Sequence, residues 1–307
     1  MQSDNFKNKT TIGIIINPRK EEVLQYLKKI DDWVDKCQKT INILACTYQS
    51  KYLPNTFEHI QICAEERLLS ESKLVLTLGG DGTILKAVHA VNDKQIPILG
   101  INLGGLGFLA DTPPDKMLNN LEAYLKGNYL IEDRIVLKCQ IESKDETFYA
   151  FNDFVIDKSG FSRVIEIITS VDGNLLNSYV ADGLIISTPT GSTGYSLSAG
   201  GPIVVPQTKV FIINPICPHS LTNRPVVISD ESRIKLKVFT EYKEINLYKD
   251  GQFVNNYPSG IVINISKADF VIKLIKMKEM SFFETLRNKL HWGEDFRDKK
   301  RWSYNNQ

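Results

Sequence analysis

Four short apolar runs, Ile12–Ile16, Ile41–Cys46, Lys73–Leu78 and Ile96–Ile101, alternate with segments whose apolar residues recur at helical spacing. Nothing else in the chain restricts its fold so tightly. The runs read as buried strands, the first closed by the turn signal Asn17-Pro18. Between them, Glu21 to Lys36 sets Val23, Leu24, Leu27, Ile30 and Val34 near helical spacing, with Lys and Asp opposite. Phe57 to Leu69 reads as a second helix and Ile84 to Val91 as a third, and Pro113-Pro114 precedes a helix-like segment from Asp115 to Lys126. Such alternation predicts a parallel sheet with helices on both faces.

From about Arg134 the pattern changes to successive β-rich runs: Ile135–Ile141, Thr147–Ile156, Val164–Val171, Leu184–Ser187, Val210–Ile213, Ile234–Val238, Ile245–Tyr248 and Ile261–Ile265. Asp172-Gly173-Asn174 and Asp250-Gly251 are hairpin-turn signals between them. The expectation is an α/β domain over residues 1–134, a β-rich, sandwich-like domain over 135–268, and a closing segment over 269–307. Within that segment Ser281 and Glu284 make a capping box ahead of Phe283, Leu286 and Leu290, which predicts a helix, while Lys299 to Gln307 reads as a frayed end.

The chain has 307 residues, enough for one large domain or two ordinary ones, and 37 basic side chains balance 36 acidic ones. Near-neutrality removes any global argument for nucleic-acid binding or for adsorption to an anionic membrane. The five cysteines are scattered and never spaced as C-x-x-C, so they read as reduced and mostly buried. Residues Met1 to Thr11 lack the apolar core of a signal peptide, and no stretch approaches the ~18 apolar residues of a bilayer span. The expected compartment is the cytoplasm.

Two stretches carry chemistry. Leu74 to Ala87 reads L-V-L-T-L-G-G-D-G-T-I-L-K-A, an apolar strand running into three glycines around one aspartate, with Thr83 opening an apolar helix. Glycines let main-chain amides approach a ligand, and amides at a helix start suit phosphate. Asp81 beside such a cradle is repulsive unless a divalent cation or a substrate hydroxyl lies between, which is where phosphoryl transfer needs a base. A tight turn with Asp81 as its N-cap is the alternative. Neither a P-loop nor a dinucleotide fingerprint occurs here. The second stretch, Asp182 to Pro202, has seven Ser/Thr residues between Ser187 and Ser198, glycines at 191, 194, 200 and 201, and no charge after Asp182. Neutral hydroxyls and amides at that density suit a nucleotide, and Tyr195 is placed to stack on a base or to be an ordinary half-buried ring. Gly104-Gly105-Leu106-Gly107-Phe108 and Asn152-Asp153 are weaker signals, the latter suiting the two hydroxyls of a ribose or a strand-end turn.

Together these motifs resemble the NAD kinases. The matching pieces run in order: G-G-D-G-T (79–83), N-L-G-G-L-G-F-L (102–109), N-D (152–153), D-G-L-I-I-S-T-P-T-G-S-T-G-Y-S-L-S-A-G-G-P (182–202), P-H-S-L-T-N-R-P (218–225) and D-G-Q (250–252). G-G-D-G-T alone recurs in phosphofructokinases and in diacylglycerol and sphingosine kinases, whereas the T-P-T-G-S-T stretch is specific to NAD kinases. The resemblance implies transfer of the γ-phosphoryl of ATP to the adenosine ribose 2′-hydroxyl of NAD, with Mg²⁺ or another divalent cation carried by ATP. It implies a closing segment returning to the first domain, and a homodimer or homotetramer. It also implies Asp81 as proton acceptor, Gly82 in the same loop, and Lys86 at a basic position associated with nucleotide binding. Asn152 and Asp153 would hold ribose hydroxyls. Asp182, Thr193, Gly194, Tyr195, Ser196, Leu197, Ser198 and Gln252 would line the rest of the NAD site, with Phe108 and Arg163 at further contact positions. Gly194 replaces the family's usual Ala, and Asp153 its frequent Glu, one methylene longer. A lipid kinase sharing G-G-D-G-T, and a catalytically silent NAD-responsive binding protein, are the competing expectations.

Overall fold

A computed structural model describes residues 10–37, 41–46, 49, 53, 57–105, 107–110, 112–142, 144–160, 164–241, 244–277 and 281–292. The chain forms two compact units, one of residues 1–90, 98–130 and 275–307, the other of residues 91–97 and 131–274.

The first unit contains β1 (Thr10–Ile16), α1 (Val23–Lys36), β2 (Ile41–Cys46), β3 (Ile60–Cys63), α2 (Glu65–Glu71), β4 (Leu74–Gly79), α3 (Asp81–Val91), β5 (Ile98–Asn102) and α4 (Met117–Leu125). Its strands pair in parallel in the order β5-β4-β1-β2-β3. β1, β2, β4 and β5 are buried along almost their whole length, as strands covered on both faces must be. From α1, Val23, Leu27, Ile30 and Trp33 pack with Ile12, Ile14, Ile43 and Leu76 of the sheet, joined by Met117 and Leu121 of α4. The expected helix over Phe57 to Leu69 is in fact strand β3 followed by α2, because four residues of strand fit the same apolar spacing. Strand order reverses between β1 and β4, and at such a switch point the strand ends leave an open crevice.

The second unit is β6 (Leu130–Ile141), β7 (Glu146–Ala150), β8 (Asp153–Lys158), β9 (Ile165–Val171), β10 (Asn174–Ala181), β11 (Gly183–Ser187), the single turn α5 (Tyr195–Ser198), β12 (Val210–Ile216), β13 (Val226–Ser229), β14 (Ile234–Phe239), β15 (Glu244–Lys249), β16 (Gln252–Pro258) and β17 (Ile261–Lys276). One antiparallel sheet has the order β13-β12-β11-β8-β15-β16. The other contains β10-β9-β14-β17, with β6 carrying β7. Phe154, Ile186, Phe211 and Leu247 of the first meet Ile167, Tyr179, Leu236 and Ile263 of the second in one core, so the unit is a sandwich. Both hairpin turns form as expected, with positive φ at Asp172 and Gly173 and at Asp250 and Gly251. β17 is far longer than the run Ile261–Ile265 that announced it, and its Ile275 is buried in the first unit's core.

α6 (Phe282–Leu290) belongs to the first unit. Ser281 accepts the Glu284 amide at 3.2 Å, the N-terminal half of the expected capping box, and His291 closes the other end with φ +55° as Trp292 N–H reaches Arg287 O. No helix among the described residues is long and apolar enough to cross a membrane.

Candidate active site

Asp81 opens α3 at the carboxyl end of β4, on the switch point of the parallel sheet. It does not act as an N-cap. Its Oδ1 accepts the amides of Leu109 and Ala110, both at 3.0 Å, and its Oδ2 accepts that of Phe108 at 2.9 Å. Three donors from one loop fix the carboxylate's orientation far more firmly than a rotatable side chain holds itself. The approach demands glycine at position 107, where a Cβ would lie 2.0 Å from Asp81 Oδ1. The G-G-L-G-F loop thus brings its backbone to the carboxylate.

A cation completes this cluster. Lys289 of α6 places Nζ 3.5 Å from Asp81 Oδ2 and 4.4 Å from the centroid of the Phe108 ring. Phe282, two turns earlier on the same helix, packs on that ring with centroids 6.3 Å apart. Lys86, by contrast, is exposed on α3, about 140° round the helix from Asp81 at 100° per residue. Gly82 is exposed, with open space where a side chain would start.

In the second unit Asp250 organises the turn into β8. Its buried carboxylate accepts three successive amides, Phe151 at 2.9 Å, Asn152 at 2.6 Å and Asp153 at 3.1 Å, and its own amide donates to Asp153 O at 2.9 Å. The loop from Thr188 docks on the same turn: Thr188 N–H donates to Asn152 O at 2.9 Å and its hydroxyl to Phe151 O at 2.7 Å. Gly191 lies so close that a Cβ would stand 2.2 Å from Asn152 O. Beneath the loop, buried Arg134 donates to Thr190 Oγ1 at 3.2 Å and pairs with Glu132 at 3.0 Å.

The hydroxyls of this stretch are mostly spent on architecture. Ser187, Thr188 and Ser192 bond main-chain carbonyls, and buried Ser196 meets Asn214 of β12. Gly194, Tyr195 and Ser198 are exposed, and Thr193 and Leu197 half-buried. Asp182 is paired with Lys158 at 2.5 Å, and Gln252 is exposed beyond the Asp250 turn. Tyr195 lies within electrostatic reach of Asp157, Cys217, Asp153 and Asp182, which, after burial, raise its phenol above the usual range. Arg163 lies outside the described residues. Asp250, Arg134 and Lys289 were not singled out from sequence as functional; only Asp250 stood in a recognisable motif, D-G-Q.

Burial, and then the charge of Asp250, push the Asp153 carboxyl up to about 7. A carboxyl in an unfolded chain titrates near ~4, so between those values the folded state keeps a proton that the unfolded chain has lost. Stability therefore falls as pH rises through that window, by up to about 1.4 kcal/mol per pH unit. Asp153→Asn cannot ionise. Its urea midpoint should gain on the parent protein's from about pH 4 to 7 and then run level, whereas a pH-independent difference would rule out this titration.

The comparisons with known proteins cover both units. The ATP-NAD kinase N-terminal domain matches residues 12–129, and the ATP-NAD kinase C-terminal domain matches residues 151–277. An NAD kinase of Chloroherpeton thalassium is 37% identical over 285 residues, 92% of this chain and 98% of its own. One from Geotalea daltonii is 42% identical over 247 residues, 78% of this chain and 87% of its own. Among solved structures, yeast NADH kinase complexed with NADH superposes with a TM-score of 0.86 at 25% identity, covering 96% of this chain and 91% of that one. An NAD kinase from Archaeoglobus fulgidus in complex with ATP shares the fold with a TM-score of 0.70 at 24% identity, covering 92% and 98%. The chain therefore belongs to the NAD kinase family. It is a transferase, an ATP-dependent enzyme that phosphorylates NAD. The match through the second unit removes the lipid-kinase alternative, which rested on G-G-D-G-T alone.

Proposed function

We propose that the enzyme passes the γ-phosphoryl of ATP to the adenosine ribose 2′-hydroxyl of NAD, giving NADP, with Asp81 as the proton acceptor. The observation that carries this is the Asp81 carboxylate, oriented by three amides at the switch point. The new bond forms between the 2′-oxygen and the γ-phosphorus, the bond to the β-phosphate oxygen breaks, ADP leaves with that electron pair, and the hydroxyl proton goes to Asp81. A carboxylate is a weak base for a ribose hydroxyl, so orientation contributes more than basicity.

Asn152 and Asp153 hold ribose hydroxyls. Asp182, Thr193, Gly194, Tyr195, Ser196, Leu197, Ser198 and Gln252 line the NAD site, with Ser196 contributing from beneath through Asn214. Gly82 and Phe108 border the phosphate region, and Lys86 and Arg163 are nucleotide contacts at its margin. Among the described residues no three His, Cys, Asp or Glu side chains converge into a metal cage. Mg²⁺ is carried by the phosphates of ATP beside Asp81, where it neutralises phosphate charge. The working form is a cytoplasmic homodimer or homotetramer, engaging small nucleotides and neither nucleic acid nor membrane.

Incubation with ATP, Mg²⁺ and NAD, read by an NADP-specific dehydrogenase, should yield NADP, with NADH and polyphosphate tested in parallel. No product from ATP and NAD would instead favour a silent NAD-binding protein.

A further inference from the structure

We propose that Lys289 supplies a cation to the transferring phosphoryl group. Its ammonium stands 3.5 Å from Asp81 Oδ2, longer than the 2.7–2.9 Å of a tight charge-assisted bond. The carboxylate is already held by three amides, so the lysine adds little to its orientation. It is instead parked at the base, with hydrogen-bonding capacity in hand.

Position follows from the helix. Residues 282 and 289 are seven apart, so they share one face of α6, and both meet the ring of Phe108. Capping at both ends fixes that face, and the ring holds the ammonium by cation–π attraction. A hydroxyl bonded to Asp81 lies a few ångströms from Nζ, and the phosphorus it attacks is about 3–3.5 Å beyond the hydroxyl. The equatorial oxygens of that phosphorus gather charge as the bonds exchange, and an ammonium placed there beforehand stabilises them. Lys276 also approaches the loop, but at Leu109 O, 3.5 Å away, and not at the base. Lys289 acts this way only where Asp81 is the base.

Lys289→Met and Lys289→Arg in the full chain test the role. Lys289→Met should lower kcat about 10²–10³-fold. Its calorimetric Kd for NAD should stay within about twofold, and its melting temperature within about 2 °C. Lys289→Arg, which keeps the charge, should recover at least about tenfold of the lost kcat. A Lys289→Met enzyme with parental kcat overturns the proposal, as does a loss that tracks NAD binding or melting temperature and that arginine does not restore. Asp81→Asn measured alongside separates the two assignments: if it is slow while Lys289→Met is fast, only the lysine's role falls. If Asp81→Asn is fast, both fall.

Discussion

Asp81→Asn leaves an enzyme that binds NAD within a few-fold of the parent protein yet turns over about 10³-fold or more slowly, the upper range for loss of a positioned base. The variant is nearly isosteric, and its remaining carbonyl oxygen can still accept the amides of Leu109 and Ala110. The amide nitrogen replaces Oδ2 and faces the Phe108 N–H, two donors in opposition. That lost bond costs about 1–3 kcal/mol, visible as a lower melting temperature and separable from the kinetic effect. With Asp81 as the proposed base, what disappears is the acceptor for the hydroxyl proton. Calorimetric titration with NAD beside single-turnover kinetics distinguishes the two effects, and parental turnover in the variant would remove Asp81 from the chemistry.

Asp250→Ala is expected to have the largest effect on stability, about 3 kcal/mol or more. Three consecutive amide donors at the start of β8 lose their acceptor, those of Phe151 and Asp153 in buried surroundings. Relief of burying the Asp250 charge offsets part of the loss but not three unpaired donors. The turn also carries the carbonyls of Phe151 and Asn152 on which Thr188 docks, so the hydroxyl-rich loop should loosen with it. The urea midpoint should drop at unchanged m-value, and the Kd for NAD should rise at least about tenfold, roughly 1.4 kcal/mol. A variant as stable as its parent would show that the three bonds contribute nothing net.

The strands that sequence left unread have one physical feature in common. β3 stands at the edge of the first unit's parallel sheet, β10 at the edge of one sandwich sheet, and β13 and β16 at the two edges of the other. An edge strand needs fewer apolar side chains, and N-L-L-N-S-Y-V-A or Q-F-V-N-N-Y-P shows neither a clean alternation nor an apolar run. Only Tyr257 of β16 is buried, and β3 buries only its two ends. Interior strands such as β4 and β11, buried throughout, announced themselves. The site divides similarly. Asp81 was legible because glycines, strand and helix start are contiguous with it. Lys289 was not, since 208 residues separate it from Asp81 and a lysine on an amphipathic helix reads as a solvated face. Asp250 read as a turn former, which it is, while its carboxylate reaches back about a hundred residues in sequence. The hydroxyls of Ser187, Thr188 and Ser192 carry a second use that composition does not show, bonding main-chain carbonyls of the loop and of the Phe151 turn.

The first unit is discontinuous, closed by residues 275–307 after the whole of the second has intervened. During synthesis, domains form in the order in which their residues leave the ribosome, at about 5–20 residues per second. The parallel sheet around β1, β4 and β5 emerges early, but the end of β17 and all of α6 reach it only after the sandwich strands have been made. For roughly ten seconds or more the nascent chain can hold Asp81 and its three amides without Lys289. A polypeptide released before residue 275 would carry the glycine loop and most of the sandwich without the Lys289–Asp81 contact. Synthesis order thus delays the Asp81–Lys289 contact until translation has passed α6.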